Sequence, residues 1–467
     1  MSSDKIQTAP AVRALGMPVH DWRREIRETL ILTLPIAAAL LAEMGMGVID
    51  NAMAGHLGET ALAAAGLGLQ LLFTPMLWGM GAISATGAVG AQAHGAEDHG
   101  GVSLAMRQGF LMATLLSLPI VGVLLGAIAL LPYIYDDAEL VSQMQGVVLW
   151  GLPWVPLTYW FTVLRNFATV MGRPMIVTVC AVVGLPFSFL FNYIFMYGNW
   201  GAPEMGAMAV GLSGSLVGVL HLAIIVAYVE LVPTLRHYRV FGSLLRLDRR
   251  MMAELFHVGV PIALAYVFES GLFFVSALLM GLVSTAALAA HNAVVNVCSI
   301  SFMIPYALSQ AATVRVGYAI GAQRPEAARM AGYAAIGLGV CWMLLAALTM
   351  WTVPSLLTSI YLDLDDPANA EAVGMTAMFF IVAAIFQVVD GTQVTTQGAL
   401  RGLKDTRVPM VICGLGYWVF GLGTGVPLAF WFDLGGVGLW CGMAIGLAVS
   451  ASLLFLRWRH MSARLVA

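Results

Sequence analysis

Long apolar runs separated by short polar segments occupy this chain from about residue 29 to residue 458. Each run matches the ~20 residues a helix needs to cross the hydrocarbon core of a bilayer. The runs fall at 29–54, 61–92, 104–132, 141–166, 174–197, 206–232, 253–281, 287–319, 330–360, 372–399, 408–431 and 436–458. A membrane β-barrel would show short segments of alternating polarity instead. The pattern predicts an all-α membrane protein with twelve transmembrane helices. Residues 1–20 are polar and Asp21–Glu28 is charged. This predicts a cytoplasmic tail, a short interfacial helix and then an uncleaved first span.

Charge alternates between the connecting segments. All 22 Lys and Arg residues fit one side of a membrane, from Lys5 and Arg13 through Arg107, Arg165, Arg173, Arg246, Arg315, Arg401 and Lys404 to Arg464. The opposite segments, at 55–60, 133–139, 198–205, 361–371 and 432–435, hold no basic residue but ten acids, among them Asp136, Asp137, Asp365 and Asp366. Basic residues favour the cytoplasmic side, so both termini are expected there. The composition is 60% hydrophobic and 10% charged, with mean hydropathy +0.87, which excludes an ordinary soluble domain. The net charge of −3 hides the asymmetry between the two faces. The five cysteines lie in or beside apolar runs without metal spacing and read as packing residues.

The chain repeats itself. Leu34–Ala39 aligns with Val260–Ala265 at an offset of 226, and the same offset pairs Glu43 with Glu269 and Gly45 with Gly271. Asp136-Asp137 matches Asp365-Asp366 at 229. Each copy holds an even number of spans, so the two six-helix lobes are expected to be related by a pseudo-two-fold along the membrane normal. The predicted organisation is a tail at 1–28, an N-lobe at 29–232, a cytoplasmic linker at 233–252, a C-lobe at 253–458 and a tail at 459–467. Two lobes around a central cleft form a transporter layout.

Four acids lie inside the spans: Glu43 and Asp50 on the first, Glu269 on the seventh and Asp390 on the tenth. No Lys or Arg lies at comparable sequence depth to neutralise them. An Asp at the bilayer centre costs about 2.5–3.5 kcal/mol on insertion scales. Such residues persist where they face a polar cavity, bind a cation or take up a proton. Glu43 and Asp50 share a helix face roughly 10 Å apart. Glu269 and Asp390 each lie roughly 16–18 Å from an end of their spans, near the midplane, and are expected to meet in the C-lobe. Polar neighbours recur at helical spacing: Gln387, Asp390 and Gln397 with Thr395 and Thr396; Asn292, Asn296 and Ser299; Ser188 and Asn192; Ser213 and Ser215. Oxygen-rich faces suit a cation, although Ser and Thr also serve as interhelical hydrogen-bond partners. Tyr266 beside Glu269 offers an aromatic face to organic cations.

Other chemistries are missing. Neither Lys5 nor Lys404 closes a phosphate-binding G-x-x-x-x-G-K-[ST] loop, and no nucleophile elbow, HExxH or CxxC pair occurs. A polytopic membrane enzyme would need a convergent catalytic set at one interface. A flippase for lipid-linked sugars would call for basic residues in the cavity, and none sits at midplane by sequence position.

Several segments resemble the multidrug and toxic compound extrusion (MATE) transporters. These are Pro35–Gly55 (PIAAALLAEMGMGVIDNAMAG), HGAED at 94–98, MGRP at 171–174, NYIFMYG at 192–198, AAHN at 289–292, AATVRVGYAIGA at 311–322 and VVDGTQVTTQGALRGLKDT at 388–406. They run in order over nearly the whole chain and are most like a NorM-like bacterial branch. The resemblance implies a secondary antiporter of the bacterial inner membrane, working by rocker-type alternating access. It would export amphipathic, often cationic, organic compounds in exchange for Na⁺ or H⁺. Such a carrier needs no cofactor and no nucleic-acid partner, and a monomer in the lipid bilayer is expected. The resemblance makes Asp50 the N-lobe acid, makes Glu269 and Asp390 the C-lobe cation-site acids, and puts Asn192 at the N-lobe site. Glu43, Tyr266, Asn292, Asn296, Gln387 and Gln397 are the remaining candidates for the cleft. Glu43 stands where the family usually has Gln, Phe386 where some members have a cation-site Tyr, and Ser188 where relatives have Asn. The choice between Na⁺ and H⁺ stays open.

Overall fold

A computed structural model of the protein describes residues 22–244 and 246–466. The expected polar tail, with Lys5 and Arg13, lies outside the described residues. Every regular element among the described residues is helical. Among the described residues eleven helices are long and apolar enough to span a membrane, twelve if a pair bent by 41° is one span. In chain order they are α1 (Trp22–Gly55), α2 (Glu59–Gly95), α3 (His99–Ile134), the bent α4 (Ala138–Gly151 and Trp154–Val170), α5 (Met175–Met196) and α6 (Gly206–Leu231). Then come α7 (Arg249–Val283), α8 (Thr285–Gly321), α9 (Pro325–Thr352), α10 (Pro367–Gly402), α11 (Arg407–Phe430) and α12 (Gly435–Val466). In lipid a spanning segment must satisfy its backbone internally, which makes helices the outcome for runs of this length.

Departures from the expected spans have local causes. Among the described residues no separate interfacial helix precedes the first span: Trp22–Gly55 is continuous, with Pro35 inside it. The 141–166 run is broken at Leu152-Pro153, since Pro153 has no N–H with which to continue the ladder. The ninth span ends at Thr352 rather than near 360, because Pro354 starts a new short helix, Pro354–Thr358. Within α11 the chain winds as a π-helix over Leu415–Leu422 before returning to α at Gly423. Such π-turns often mark functional sites in helices.

The chain forms two compact units: Pro35–Ala263, and Leu264 onward together with the described residues up to Leu34. The boundaries fall inside α1 and α7, beside the repeat-related Pro35 and near Pro261.

In the unit of Pro35–Ala263, Gly211 of α6 lies so close to Val147 that a side chain there would overlap the α4 backbone. Gly79 similarly makes room for Tyr159, whose hydroxyl donates to the Met76 carbonyl at 3.1 Å. The first turns of α7 pack on α2 where Gly259 faces the Ala82 backbone. The linker is strapped to α3. Ser103 Oγ donates to the Tyr238 carbonyl at 2.6 Å, Arg107 Nη2 to that of Arg239 at 2.7 Å, and Gln108 Nε2 to that of Arg246 at 2.8 Å.

The other unit is built on a core of Trp440, Trp458, Phe379, Phe380, Phe386 and Tyr417. Gly438, Gly442 and Gly446 form a ridge on α12, and it meets the α11 backbone at Ala429, Gly425 and Gly421. With no apolar transfer energy available between helices in lipid, such close approach is what gives packing its strength. The head of α1 belongs to this unit. Glu25 Oε1 accepts from Arg315 Nε at 2.9 Å and Nη2 at 2.7 Å, and both side chains are buried. Leu32 packs on Ala311 beside them.

Candidate functional site

Each unit gathers intramembrane acids of its own. In the Pro35–Ala263 unit, Asp50 near the outer end of α1 is open to water by sequence position. The fold buries it to 7% exposure. Asn192 Nδ2 donates to Asp50 Oδ1 at 2.5 Å and Ser188 Oγ donates to the same oxygen at 3.1 Å. The two donors are four residues apart on α5, one turn, so a single helix face presents both. Ser213 of α6 in turn donates to the Ser188 carbonyl at 3.3 Å. Asn192 Oδ1 is buried and has no partner among the described residues. An acid oxygen, a hydroxyl and an orphan amide oxygen thus converge, a donor set that suits a small hard cation or a proton. Glu43, two turns closer to the start of α1, is only half-buried.

In the second unit the charge of Glu269 of α7 acts on Asp390 of α10. Neither accepts a hydrogen bond from a described residue. Their lone pairs therefore remain available to a cation or a proton. The side chains around them are committed to each other. Gln387 donates to the Cys298 carbonyl at 3.2 Å and to Ser301 Oγ, and Gln397 Nε2 donates to Cys413 Sγ at 3.1 Å. Gln393 donates to the Tyr417 hydroxyl. Thr395 and Thr396 return their hydroxyls to their own helix, at Gly391 and Thr392.

The expectation that no basic residue reaches the depth of the acids is wrong. Arg401 is buried, and its charge acts on Glu269. Its Nη2 donates to Gln397 Oε1 at 2.9 Å, its Nη1 to the Tyr266 hydroxyl at 3.3 Å, and its guanidinium lies 5.3 Å from the Tyr266 ring centre. Arg165 is buried likewise, and its charge acts on Glu43. Both arginines stand near the C-terminal ends of their helices, and helical side chains lean toward the N-terminus. A basic residue whose Cα marks the C-terminal end of a span therefore carries its charge back along the helix.

Tyr266 thus has its aromatic face covered by Arg401, and its hydroxyl also meets Tyr306 at 3.3 Å. Asn292 and Asn296 are exposed, and the Asn296 amide donates to the Asn292 carbonyl at 2.8 Å, within their own helix. No hydrogen bond brings either to the acids among the described residues. Phe386, which lacks the hydroxyl of a Tyr, stacks edge-on with Phe273 and Trp440. The hydroxyl near the acids comes from Tyr417 instead, within range of both Glu269 and Asp390. It sits on the π-turn of α11. An aromatic residue in an apolar run carries no signal of this role, and the flanking glycines give only a weak hint of the irregular winding.

The MatE family model matches the chain twice, over residues 35–194 and 261–427. The matches begin at Pro35 and Pro261, in register with the internal repeat. The probable multidrug resistance protein NorM of Mesorhizobium japonicum is 41% identical over 444 residues, covering 94% of this chain and 95% of that one. Its namesake from Burkholderia mallei is 37% identical, covering 97% and 96%. The fold of the eukaryotic MATE transporter AtDTX14 superposes with a TM-score of 0.85 at 20% identity, covering 95% of this chain and 98% of that one. With twelve spans, a repeat in register with both matches and relatives over nearly its full length, the chain belongs to the multidrug and toxic compound extrusion family.

Proposed function

We propose that this protein is a multidrug efflux antiporter in which Glu269 and Asp390 receive the coupling cation, Na⁺ or H⁺, from outside the cell. The observation that carries the reading is that the charge of Glu269 acts on Asp390 while neither acid accepts a hydrogen bond from a described residue. Two adjacent negative charges at low dielectric repel strongly, so one cation or proton between them relieves the site. Arg401 offsets part of the Glu269 charge, which makes Asp390 the main acceptor. Asp50 with Asn192 and Ser188 is a second coupling site. A cationic substrate and the coupling ion then compete for the same negative charge, and alternating access turns that competition into exchange.

The test is reconstitution into liposomes with Na⁺ and pH gradients imposed separately, following a fluorescent organic cation. Movement that responds to neither gradient would exclude coupled antiport. Coordinated lipid-linked sugar transport is the rival. Buried arginines remove the argument against it from missing basic residues, and the multidrug-resistance names of the close relatives favour drug export.

Both termini and the linker are placed in the cytoplasm of a bacterial inner membrane by the charge bias. A single cysteine at Leu244 or Lys404, in a background without native cysteines, is expected to resist an impermeant thiol reagent added to intact cells. It should react once the membrane is opened. Labelling in intact cells would reverse the topology.

Glu43 adds negative charge where it is half-exposed. Glu43→Gln is expected to weaken export of permanently charged cations about two- to fivefold relative to neutral compounds, the range of a partly solvated charge contact. Efflux ratios equal to wild type for a charged and a neutral substrate would show that Glu43 has no part in selectivity.

A further inference from the structure

In the Pro35–Ala263 unit a buried imidazole on α6 is left with an unused nitrogen. His221 is 8% exposed, and its Nε2 is buried with no hydrogen-bond partner among the described residues. The Cys180 backbone of α5 lies within hydrogen-bonding range of the same ring. A ring that gives its proton to a carbonyl there keeps Nε2 as a bare lone pair, the usual state of a metal-ligating histidine. The Phe161 ring of α4 lies against the imidazole, with 5.4 Å between centres.

Nε2 faces a notch. Gly184 of α5 has no side chain, and a Cβ there would collide with His221 Nε2 and stand 3.2 Å from Met46 Sδ of α1. The nitrogen and the thioether sulfur therefore border one spot, yet no hydrogen bond joins them. The spot is held from both sides along α1 and α5. Thr178 Oγ1 donates to the Pro35 carbonyl at 2.6 Å, and further along Asn192 Nδ2 donates to Asp50. Met46 is half-buried, which leaves a way in from the side of α1. Glu43, one turn before Met46, adds a negative charge whose field reaches Cys180 beside the ring.

One nitrogen and one sulfur are too few for most metals. Zn²⁺ takes four ligands and Ca²⁺ six to eight oxygens. Among the described residues no three His, Cys, Asp or Glu side chains gather to hold such an ion. A soft monovalent ion needs only two donors, and thioether sulfur with imidazole nitrogen suits it. We propose that His221 Nε2 and Met46 Sδ form a binding site for a soft monovalent metal ion, Cu⁺ or Ag⁺, at the Gly184 notch. The ion bonds to both lone pairs and no electron is transferred. Met46 is one helical turn from Asp50, whose neighbours offer oxygens instead, so the two sites differ in the ions they take. The soft site stands whichever ion drives export.

The experiment titrates Cu⁺ against the chelator bicinchoninate in oxygen-free detergent solution, with the full chain purified in a background without its five native cysteines. One equivalent is expected to bind, and X-ray absorption at the copper edge should show both a nitrogen and a sulfur neighbour. Met46→Leu and His221→Gln should each weaken binding more than about tenfold, the least that even an outer-shell change costs a metal site. Met46→Cys returns a sulfur and should recover it. Equimolar Zn²⁺ should not displace the copper. In the chain that keeps its cysteines, the same two substitutions should lower the copper bound at saturation by one equivalent. A melting curve for each variant separates a lost ligand from a lost fold; Met46→Leu, close in volume, should melt with its parent. Equal Cu⁺ binding by Met46→Leu, His221→Gln and their parent would make the notch packing alone and overturn the site. Displacement by equimolar Zn²⁺, or a copper edge without sulfur, would overturn it as well.

Discussion

Asp390→Asn is expected to bring gradient-driven efflux down to the level of empty liposomes, with the protein still folded. Asn keeps the size of the side chain and most of its polarity but cannot hold a proton or neutralise a cation. Asp390 accepts no hydrogen bond from a described residue, so the substitution breaks no structural contact there. It also removes the repulsion between two acids, so the variant should be at least as stable as the wild type. Glu269→Gln should follow the same direction with a smaller loss, because Arg401 already offsets part of that charge. The measurement is transport per reconstituted molecule beside a melting curve in detergent. Full drug efflux by Asp390→Asn at wild-type expression would remove this residue from coupling.

Glu25→Ala should be strongly destabilising, by roughly 3 kcal/mol. The substitution removes the Glu25 oxygen on which Arg315 Nε and Nη2 both rest in a buried setting. Removing one partner of a buried pair typically costs about 3–5 kcal/mol. The lower figure applies because Glu28 also lies in the field of Arg315. Replacing both partners, Glu25→Ala with Arg315→Met, should recover part of the loss, since the Arg315 charge is then no longer buried, while Glu28 stays buried without it. Thermal unfolding in detergent distinguishes the cases. A double variant no more stable than Glu25→Ala would show that the pair holds α1 by packing rather than by charge.

How much of this was readable beforehand depends on the length scale of the feature. The spans follow from hydropathy summed over some twenty positions, where single residues average out. The expectation that Glu269 and Asp390 lie at similar depth follows from counting rise per residue from the helix ends. Both are statements about Cα positions. The errors concern what happens beyond the Cα. Arg401 and Arg165 sit near the C-terminal ends of their helices, yet their long side chains are buried and their charges act on Glu269 and Glu43. Asn292 and Asn296 share a helix face as their spacing requires, but sharing a face does not say which neighbour it meets. Tyr417 was missed because an aromatic residue in an apolar run looks the same whether it faces lipid or an acid. The bend in α4 had a visible proline, whereas the π-turn of α11 lies where Gly421 nests against Gly446 of α12, a pairing between helices that hydropathy does not display.

The unit boundaries inside α1 and α7 bear on how a repeated chain of this kind arose. Had two copies of a gene each encoded a self-sufficient body, the seam would run through the linker at 233–248. It runs through two helices instead, so each body contains the opening turns of a helix whose remainder belongs to the other. An ancestral copy of half this length would have lacked those turns unless a sister copy lent them. The duplication is then better described as the covalent joining of an exchanged pair than as the addition of a second domain. For the same reason, the two halves made as separate polypeptides should each be degraded when expressed alone and accumulate only when made together.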